Sequence, residues 1–463
     1  MEGLDASIVS LSEIPDLNPA HRIDAEFFGK RALASLSKIR EGEHTSIGQS
    51  CKRIQHPIEV KREYDDTGLL TIMAKDVRSN RVDLSDPSFM PQELLPTVGR
   101  NKLAGGDILV TRTGANFGQA APWKNASDAY ACADILLVRA PTIANGYVSS
   151  FLESRFGKPL VLRAGYGAGQ PHISPPYLAN VLVPRFTRLE GEVDRAVTEA
   201  TRLEETAGEI LQAANYTLID ALGLANWKPP EPLSFEAQAS DVLAAGRLDA
   251  QYFRPLFEEV EQRLEATGGA VDLARILTVN TRGRQPLYDE SGLPVVNSKH
   301  VRTNKVILDD NRTATEAGSP VVISHGDVLI NGTGVGTIGR AAAYLHHERA
   351  LPDNHVTVLR TDEIDPVFLS AFLNSPLGQW QIERHIKGSS GQIELYPADI
   401  ARIKVWDAPD SIQQRTRKSI LSAFDAERRS KALLEAAKRA IEIAIEENES
   451  AAVAWLEITM EAI

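Results

Sequence analysis

Along two stretches of this 463-residue chain, apolar and small residues recur at alternating steps of four and three. The first stretch runs Leu189, Val193, Ala196, Ala200, Leu203, Ala207, Ile210, Ala214, Thr217 and Ala221. The second runs Ile412, Thr416, Ser419, Ala423, Ala426, Ser430, Leu433, Ala437, Ala440 and Ala444. Steps that average 3.5 keep one stripe on one side of an α-helix, so each stretch predicts a long helix with a coiled-coil seam. The seam is mostly alanine, which lets two such helices lie close together. Leu189, Val193, Leu203, Ile210, Ile412 and Leu433 are its large side chains and the expected helix–helix contacts of a spacer. A helix of about 35 residues, at roughly 1.5 Å per residue, is about 50 Å long. Ahead of each long helix, residues 44–186 and 270–408 alternate β-branched runs with Gly, Pro, Asn and Asp, the pattern of short strands and turns. Residues 22–40 and 247–267 predict a short helix before each of those regions.

The two halves are copies. Arg22-Ile23-Asp24-Ala25-Glu26-Phe27-Phe28 returns as Arg247-Leu248-Asp249-Ala250-Gln251-Tyr252-Phe253, and Lys75-Asp76-Val77-Arg78-Ser79-Asn80-Arg81-Val82 as Lys299-His300-Val301-Arg302-Thr303-Asn304-Lys305-Val306. Gly106-Asp107-Ile108-Leu109-Val110 returns as Gly326-Asp327-Val328-Leu329-Ile330, and Gly169-Gln170 as Gly391-Gln392. All the offsets lie between 220 and 225, too long a period for a solenoid. Two similar surfaces on one chain suit a ligand with two-fold character of its own, and duplex DNA is the common one. The expected organisation is a first globular domain over 1–186, a long helix over 187–226, a proline-stiffened linker over 227–246, a second globular domain over 247–408, and a second long helix with an acidic tail over 409–463.

Composition changes this picture in one respect. A net charge of −12 argues against a polyanionic ligand until its location is read. Residues 188–225 hold eight acids against three arginines, and residues 441–463 hold six acids and no base, so the remainder is close to neutral. Bases there remain able to gather on one face. Apolar content of 43% and charged content of 24% are ordinary for a globular protein. No apolar run reaches membrane-spanning length, and two distant cysteines, Cys51 and Cys132, fit a reducing compartment; a cytoplasmic protein is expected.

Two motifs point toward enzymes and neither is convincing. Ser174-Pro175-Pro176-Tyr177 resembles the loop with which amino-methyltransferases grip a flipped base, but it has serine where the stronger acceptor Asn or Asp stands, and the second copy reads Leu395-Tyr396-Pro397-Ala398. Gly334-Val335-Gly336-Thr337-Ile338-Gly339 fits a dinucleotide fingerprint, yet lacks a following helix of adequate length and an acid about twenty residues on, so a glycine-rich turn between strands is expected. There is no phosphate-binding P-loop, zinc-ligand spacing or nucleophile–base set.

Binding remains. Arg, Lys, Asn and Gln are the side chains that bond phosphates and base edges. The candidates are Arg53, Lys75, Arg78, Asn80, Arg81, Arg112, Tyr166 and Gln170 in the first half, and Arg282, Arg284, Lys299, Arg302, Asn304, Lys305 and Gln392 in the second. If the halves read different base sequences, residues common to both must contact phosphate or hold the fold. Readers must then be polar residues that differ, such as Arg53, Tyr64, Arg112 and Tyr166 against Arg282, Arg284, Gln285 and His385.

The doubled Arg-x-Asp-Ala block, the doubled Gly-Asp strand, the Gly-Gln pair before each long helix and the helices themselves make the chain similar to the specificity subunits of type I restriction-modification enzymes. That resemblance spans essentially the whole chain and rests on the order and duplication of motifs. It implies an α+β protein with two similar mixed α/β target-recognition domains, related by a pseudo-two-fold and separated by two long antiparallel coiled-coil helices. It implies a non-catalytic reader of a bipartite double-stranded DNA target, with no cofactor or metal of its own. Partners would be two adenine-N6 methyltransferase (modification) subunits, which bind S-adenosylmethionine, and a restriction/translocase subunit, which uses ATP; no membrane is involved. The alternatives are a self-contained or fused S-adenosylmethionine-dependent methyltransferase and a helical protein-binding adaptor.

Overall fold

Strands form where β-branched runs lie between turn residues, and the doubled Gly-Asp block starts one in each half. A computed structural model of the chain describes residues 7–463, apart from 11, 13, 15–21, 23, 62, 63, 66, 115, 126, 166–170 and 389–392. It is a mixed α/β structure that divides into two units, residues 1–208 with 425–463, and residues 209–424.

In the first unit, four antiparallel strands lie in the order Cys51–Gln55, Ile135–Pro141, Ile108–Thr111 and Ala120–Pro122. The two central strands carry Ile108, Leu109, Ile135, Leu136 and Leu137, all fully buried, so they read as continuous apolar runs. Helix Asn145–Glu153 packs on the edge strand Ala120–Pro122. A smaller sheet pairs Leu69–Ile72 antiparallel with Ser88–Met90 and parallel with Tyr130–Ala131. Hairpin Val77–Arg78/Arg81–Val82 and ladder His44–Ser46/Leu182–Pro184 complete it.

The second unit repeats this topology strand for strand. Its four-stranded sheet runs Val279–Arg282, Val356–Arg360, Val328–Asn331, Ala341–Ala343. Tyr288–Val296 lies between Thr313–Ala314, antiparallel, and Leu351–Pro352, parallel; Val301–Arg302 pairs Lys305–Val306, and Ala270–Asp272 pairs Lys404–Trp406. The Gly-x-Gly-x-x-Gly segment is the turn between the paired strands Val328–Asn331 and Ala341–Ala343, with Gly334, Gly336 and Gly339 all at positive φ, as the sequence predicts.

The long helices form at Leu189–Ala221 and Asp410–Glu446. Residues 189–208 and 425–446 belong to the first unit, 209–221 and 410–424 to the second. In the first unit the expected seam is buried throughout: Leu189, Val193, Ala196 and Ala200 completely, Leu203 and Ala207 nearly so, and Ala426, Ser430, Leu433, Ala437, Ala440 and Ala444 likewise. In the second unit the fit is looser. Ile210 and Ile412 are half-buried and Ala221 is exposed, while Leu218, not Thr217, enters the core. An α-helix has 3.6 residues per turn, so a 3.5-residue stripe drifts by about 20° per heptad and shifts off the buried face only over several heptads.

Three further expectations change. The predicted short helices start later, at Lys30–Arg40 and Pro255–Ala266, because the Arg-x-Asp blocks form capped turns in place of a first helical turn. Asp24 Oδ1 accepts the Phe27 N–H at 3.1 Å, and Asp249 Oδ1 accepts the Tyr252 N–H at 3.2 Å. The 227–246 linker contains a helix, Ala239–Ala245, and is anchored by Trp227, whose ring meets Trp380 edge-on at 5.5 Å. The acidic tail is a separate helix, Glu449–Ala462, capped by the Asn448 side chain. Glu449 Oε1 accepts the backbone N–H groups of Arg188 (2.6 Å) and Leu189 (3.0 Å), so the tail's carboxylate caps the first long helix, where a negative charge is favourable.

Glu204, on the first long helix, faces Arg81 at 3.3 Å, and burial together with the nearby carboxylates of Asp83 and Glu427 pushes its pKa up to about 7 despite the arginine. Its folded value therefore lies above its unfolded one. The stabilisation it lends is complete below about pH 4.5 and is lost as pH rises through about 7. Denaturant unfolding of the native chain is expected to show stability falling between about pH 5 and pH 8, and Glu204→Gln to flatten that slope. Parallel pH profiles for the two proteins would rule this out.

Candidate functional site

At one end of each four-stranded sheet, two strands stop beside the glycine-rich turn and polar side chains collect. In the second unit Arg282 ends its strand there. Its Nε donates to the Asn354 carbonyl at 2.8 Å and its Nη1 to Glu394 Oε2 at 2.8 Å, which holds the Glu394 carboxyl below its usual range. The guanidinium lies 5.6 Å from the Tyr396 ring centre. Thr333 Oγ1 meets His355 Nδ1 at 2.7 Å. The Gly332 N–H donates to the His355 carbonyl at 2.8 Å, and the Gly332 carbonyl accepts the Leu395 N–H at 2.9 Å. A Cβ on Gly332 would lie 3.1 Å from the Leu395 carbonyl oxygen and in ordinary contact, at 3.5 Å, with the Arg282 guanidinium.

The first unit rebuilds the same backbone bonds with other side chains. His56 Nε2 lies 2.9 Å from the Ala133 carbonyl, as Arg282 lies on Asn354. Thr113 Oγ1 donates to Asp134 Oδ1 at 3.0 Å, as Thr333 meets His355. The Arg112 N–H donates to the Asp134 carbonyl at 2.7 Å and its carbonyl accepts the Ile173 N–H at 3.2 Å, so Arg112 occupies the position of Gly332. Ile173 then matches Leu395, and His172 matches Glu394.

The doubled Arg-x-Asp block braces this end of each unit. Arg22, paired with Asp24 at 2.7 Å, donates to the carbonyls of Arg163 (2.9 Å) and Gly165 (2.7 Å). Arg247, paired with Asp249 at 2.6 Å, donates to the Ile386 carbonyl at 3.3 Å. Tyr166, Gln170 and Gln392, expected to bind, lie outside the described residues.

The other sequence candidates divide by what they touch. Asn80 and Asn304 sit at φ 59° and 61° in their hairpin turns, where Asn is among the few tolerated residues. Their N–H groups donate to the Ala120 and Ala341 carbonyls, both at 2.9 Å. Asn80 is 1% exposed; its Nδ2 donates to Ser150 Oγ at 2.6 Å and its Oδ1 accepts from Ser149. Asn304 Oδ1 accepts from Asn374 Nδ2 at 2.7 Å. Both therefore hold the fold. Arg81 reaches Glu204, and Lys305 Nζ lies 5.3 Å from the Phe424 ring centre, so this shared base faces a long helix in each unit. Lys75 binds the Asp86 carbonyl at 2.6 Å, and Arg78 Nη1 reaches Asn116 Oδ1 at 3.3 Å. Arg53 lies exposed on an edge strand beside Gln55 (2.9 Å), and Arg284, Lys299 and Arg302 are exposed. His385 is buried against Tyr252, and burial lowers its pKa to about 4, so it is neutral. Sequence reading missed His56, Thr113, Asp134, His172, Thr333, His355 and Glu394. The repeat itself was the signal, since offsets of 220–226 pair them.

The methyltransferase-like loop is a helix cap. Ser174 Oγ accepts the Tyr177 N–H at 3.4 Å. The Tyr177 ring is buried edge-on against Phe27, its hydroxyl donates to the Leu160 carbonyl at 2.8 Å, and burial lifts its pKa to about 12. A buried ring has no free face for a flipped base. Among the described residues no His, Cys, Asp and Glu cluster could hold a metal ion, and no helix is long and apolar enough to cross a membrane.

No protein-family model and no curated protein matches the chain. Solved structures do. The chain is similar to the S subunit of a type I restriction-modification system from M. genitalium, with 12% identity, 89% of this chain and 95% of that one covered, and a TM-score of 0.37. It is also similar to the HsdS subunit from Thermoanaerobacter tengcongensis, with 15% identity, 90% and 96% coverage, and a TM-score of 0.27.

Replacing Asn80 or Asn304 with Ala is expected to cost roughly 1–3 kcal/mol of stability each, through lost buried hydrogen bonds and a left-handed backbone. Glycine at the same sites should recover the backbone part only. Denaturant melts of the four variants test this; unchanged midpoints for both alanine variants would remove these residues from the fold's supports.

Proposed function

We propose that this chain is a non-catalytic, sequence-specific reader of double-stranded DNA, the specificity subunit of a type I restriction-modification system. The observation that carries the reading is the second unit's repetition of the first unit's topology, with different polar side chains at matched positions. Two equal frames with unequal side chains suit a ligand that is uniform in backbone and variable in sequence, and a duplex is such a ligand. Each unit would read one half of a bipartite target. The long helices, paired antiparallel about a pseudo-two-fold, would set the spacing between the halves. Their acidic outer faces would receive two modification subunits, which transfer the methyl group to adenine N6 and bind S-adenosylmethionine, and a restriction/translocase subunit would join them in the cytoplasm. The domain limits that go with this reading are 1–186 and 247–408 for recognition, 187–226 and 409–463 for the helices, and 227–246 for the connection.

Exposed bases shared by the two copies, such as Lys299 and Arg302, would meet phosphates, each contact releasing counterions. Neutralising six phosphates makes affinity fall about 10³-fold between 50 and 200 mM salt. The purified chain, titrated with duplex DNA at several salt concentrations, should show this loss. A flat salt response ends the reading, retention of no DNA at low salt favours a protein-binding adaptor, and tight binding of S-adenosylmethionine by the chain alone favours an enzyme. Removing residues 200–206 together with 423–429 takes about 10 Å from each helix, which is roughly three base pairs of rise. The selected spacer should shorten by that amount with both half-words unchanged; an unaltered spacer would show that the helices do not set it.

A further inference from the structure

Matched backbone positions with unmatched chemistry occur at the strand ends of both units. Thr113 and Thr333 are the same residue, and each bonds its neighbour: a carboxylate at Asp134, an imidazole at His355. A carboxylate is an acceptor only, whereas an imidazole can donate. The side chain on the next strand, bonded to the carbonyl of residue 133 or 354, is His56 in one unit and Arg282 in the other. The arginine changes strand as well. In the first unit an arginine, Arg112, stands at the backbone position that Gly332 holds in the second, where the arginine is Arg282 on the next strand. The last pair is His172 against Glu394, whose carboxylate is bound to Arg282.

Such exchanges do not serve the fold, because the backbone bonds are the same on both sides. Donor and acceptor patterns are what distinguish base pairs along the major groove. We propose that these matched positions (56/282, 112/332, 134/355 and 172/394) are the specificity-determining residues, each set choosing the base pairs of its own half-word. The inference rests on the DNA-reading function proposed above. Thr113 and Thr333 act as positioning residues that fix the orientation of Asp134 and His355. Residues common to both units, Thr113/Thr333 here and Asn80/Asn304 in the hairpin turns among them, hold the frame and contribute nothing to the difference between the words.

The test is selection of duplexes from a pool of randomised double-stranded oligonucleotides by the full-length chain, followed by sequencing. Four proteins are compared: native, Asp134→Asn, Asp134→His and His355→Asp, each checked by thermal melting. Asp134→Asn keeps the shape and turns an acceptor into an amide, so it remains informative should either exchange fail to fold. The native chain should enrich two half-words. Both Asp134 variants should change base preference at least about fivefold within one word, and His355→Asp within the other, the lower bound being what one wrong base pair costs. Folded variants that select both native words unchanged would overturn the assignment while leaving the DNA-reading function intact. A native chain that enriches no sequence would overturn both.

Discussion

A buried aspartate paired with an arginine at the start of each central strand is the constraint on which both units depend. Asp107 is 2% exposed and Asp327 is 1% exposed, each directly after a glycine at φ 93° or 92°. Asp107 pairs with Arg139, and Asp327 takes both Nε (2.6 Å) and Nη2 (2.8 Å) of Arg360. In each carboxylate the Oδ2 that meets the arginine also caps the turn, accepting Ala104 N–H or Ser324 N–H at 2.8 Å. A charge so deep is tolerable only when its partner is present, and removing one partner of a buried pair costs several kcal/mol. The pair ties the start of one strand to the end of its neighbour, Ile135–Pro141 or Val356–Arg360, and so fixes the sheet's register. The opposite ends of those strands, where the polar clusters lie, inherit their positions from it.

This separates what must stay from what can vary. The Gly-Asp turn, the Arg-x-Asp brace and the left-handed asparagine recur in both units because each closes a backbone hydrogen bond that nothing else supplies. The far strand ends carry no such duty. His56 and Arg282 bond equivalent carbonyls, yet one is a ring and the other a guanidinium. A frame with a rigid end and a free end can take on a new surface chemistry without refolding, which lets a duplicated unit diverge.

Much of the architecture was legible in the sequence because its signals are periodic or local. The seam spacing placed both long helices within a few residues, and the glycine run identified a turn. What escaped depended on side chains meeting over distance. Nothing local distinguishes Arg22 as a brace rather than the first residue of a helix, since its carbonyl partners lie about 140 residues away. For the repeated Lys-x-Val-Arg-x-Asn-[Arg/Lys] block the sequence leaves two roles open, phosphate contact or support of the fold; a positive φ gives the asparagine the second, and the last base faces a long helix. The strand-end residues were hidden for the opposite reason: they differ between copies, and a search for identity passes over them.

Charge placement follows the same logic and removes the objection from net acidity. Several acids on the helices already have cationic or backbone partners inside the first unit. Arg155 pairs with Glu442 and Glu446, Arg188 with Glu457 at 2.6 Å, and Arg81 with Glu204, while Glu449 caps a helix start. The helix acids that carry much of the net charge are thus partly neutralised and less effective at a distance than their number implies, because opposite charges in contact cancel beyond about a Debye length of 8–10 Å. Net charge measured over a whole chain is a poor guide to binding whenever one structural element carries most of it.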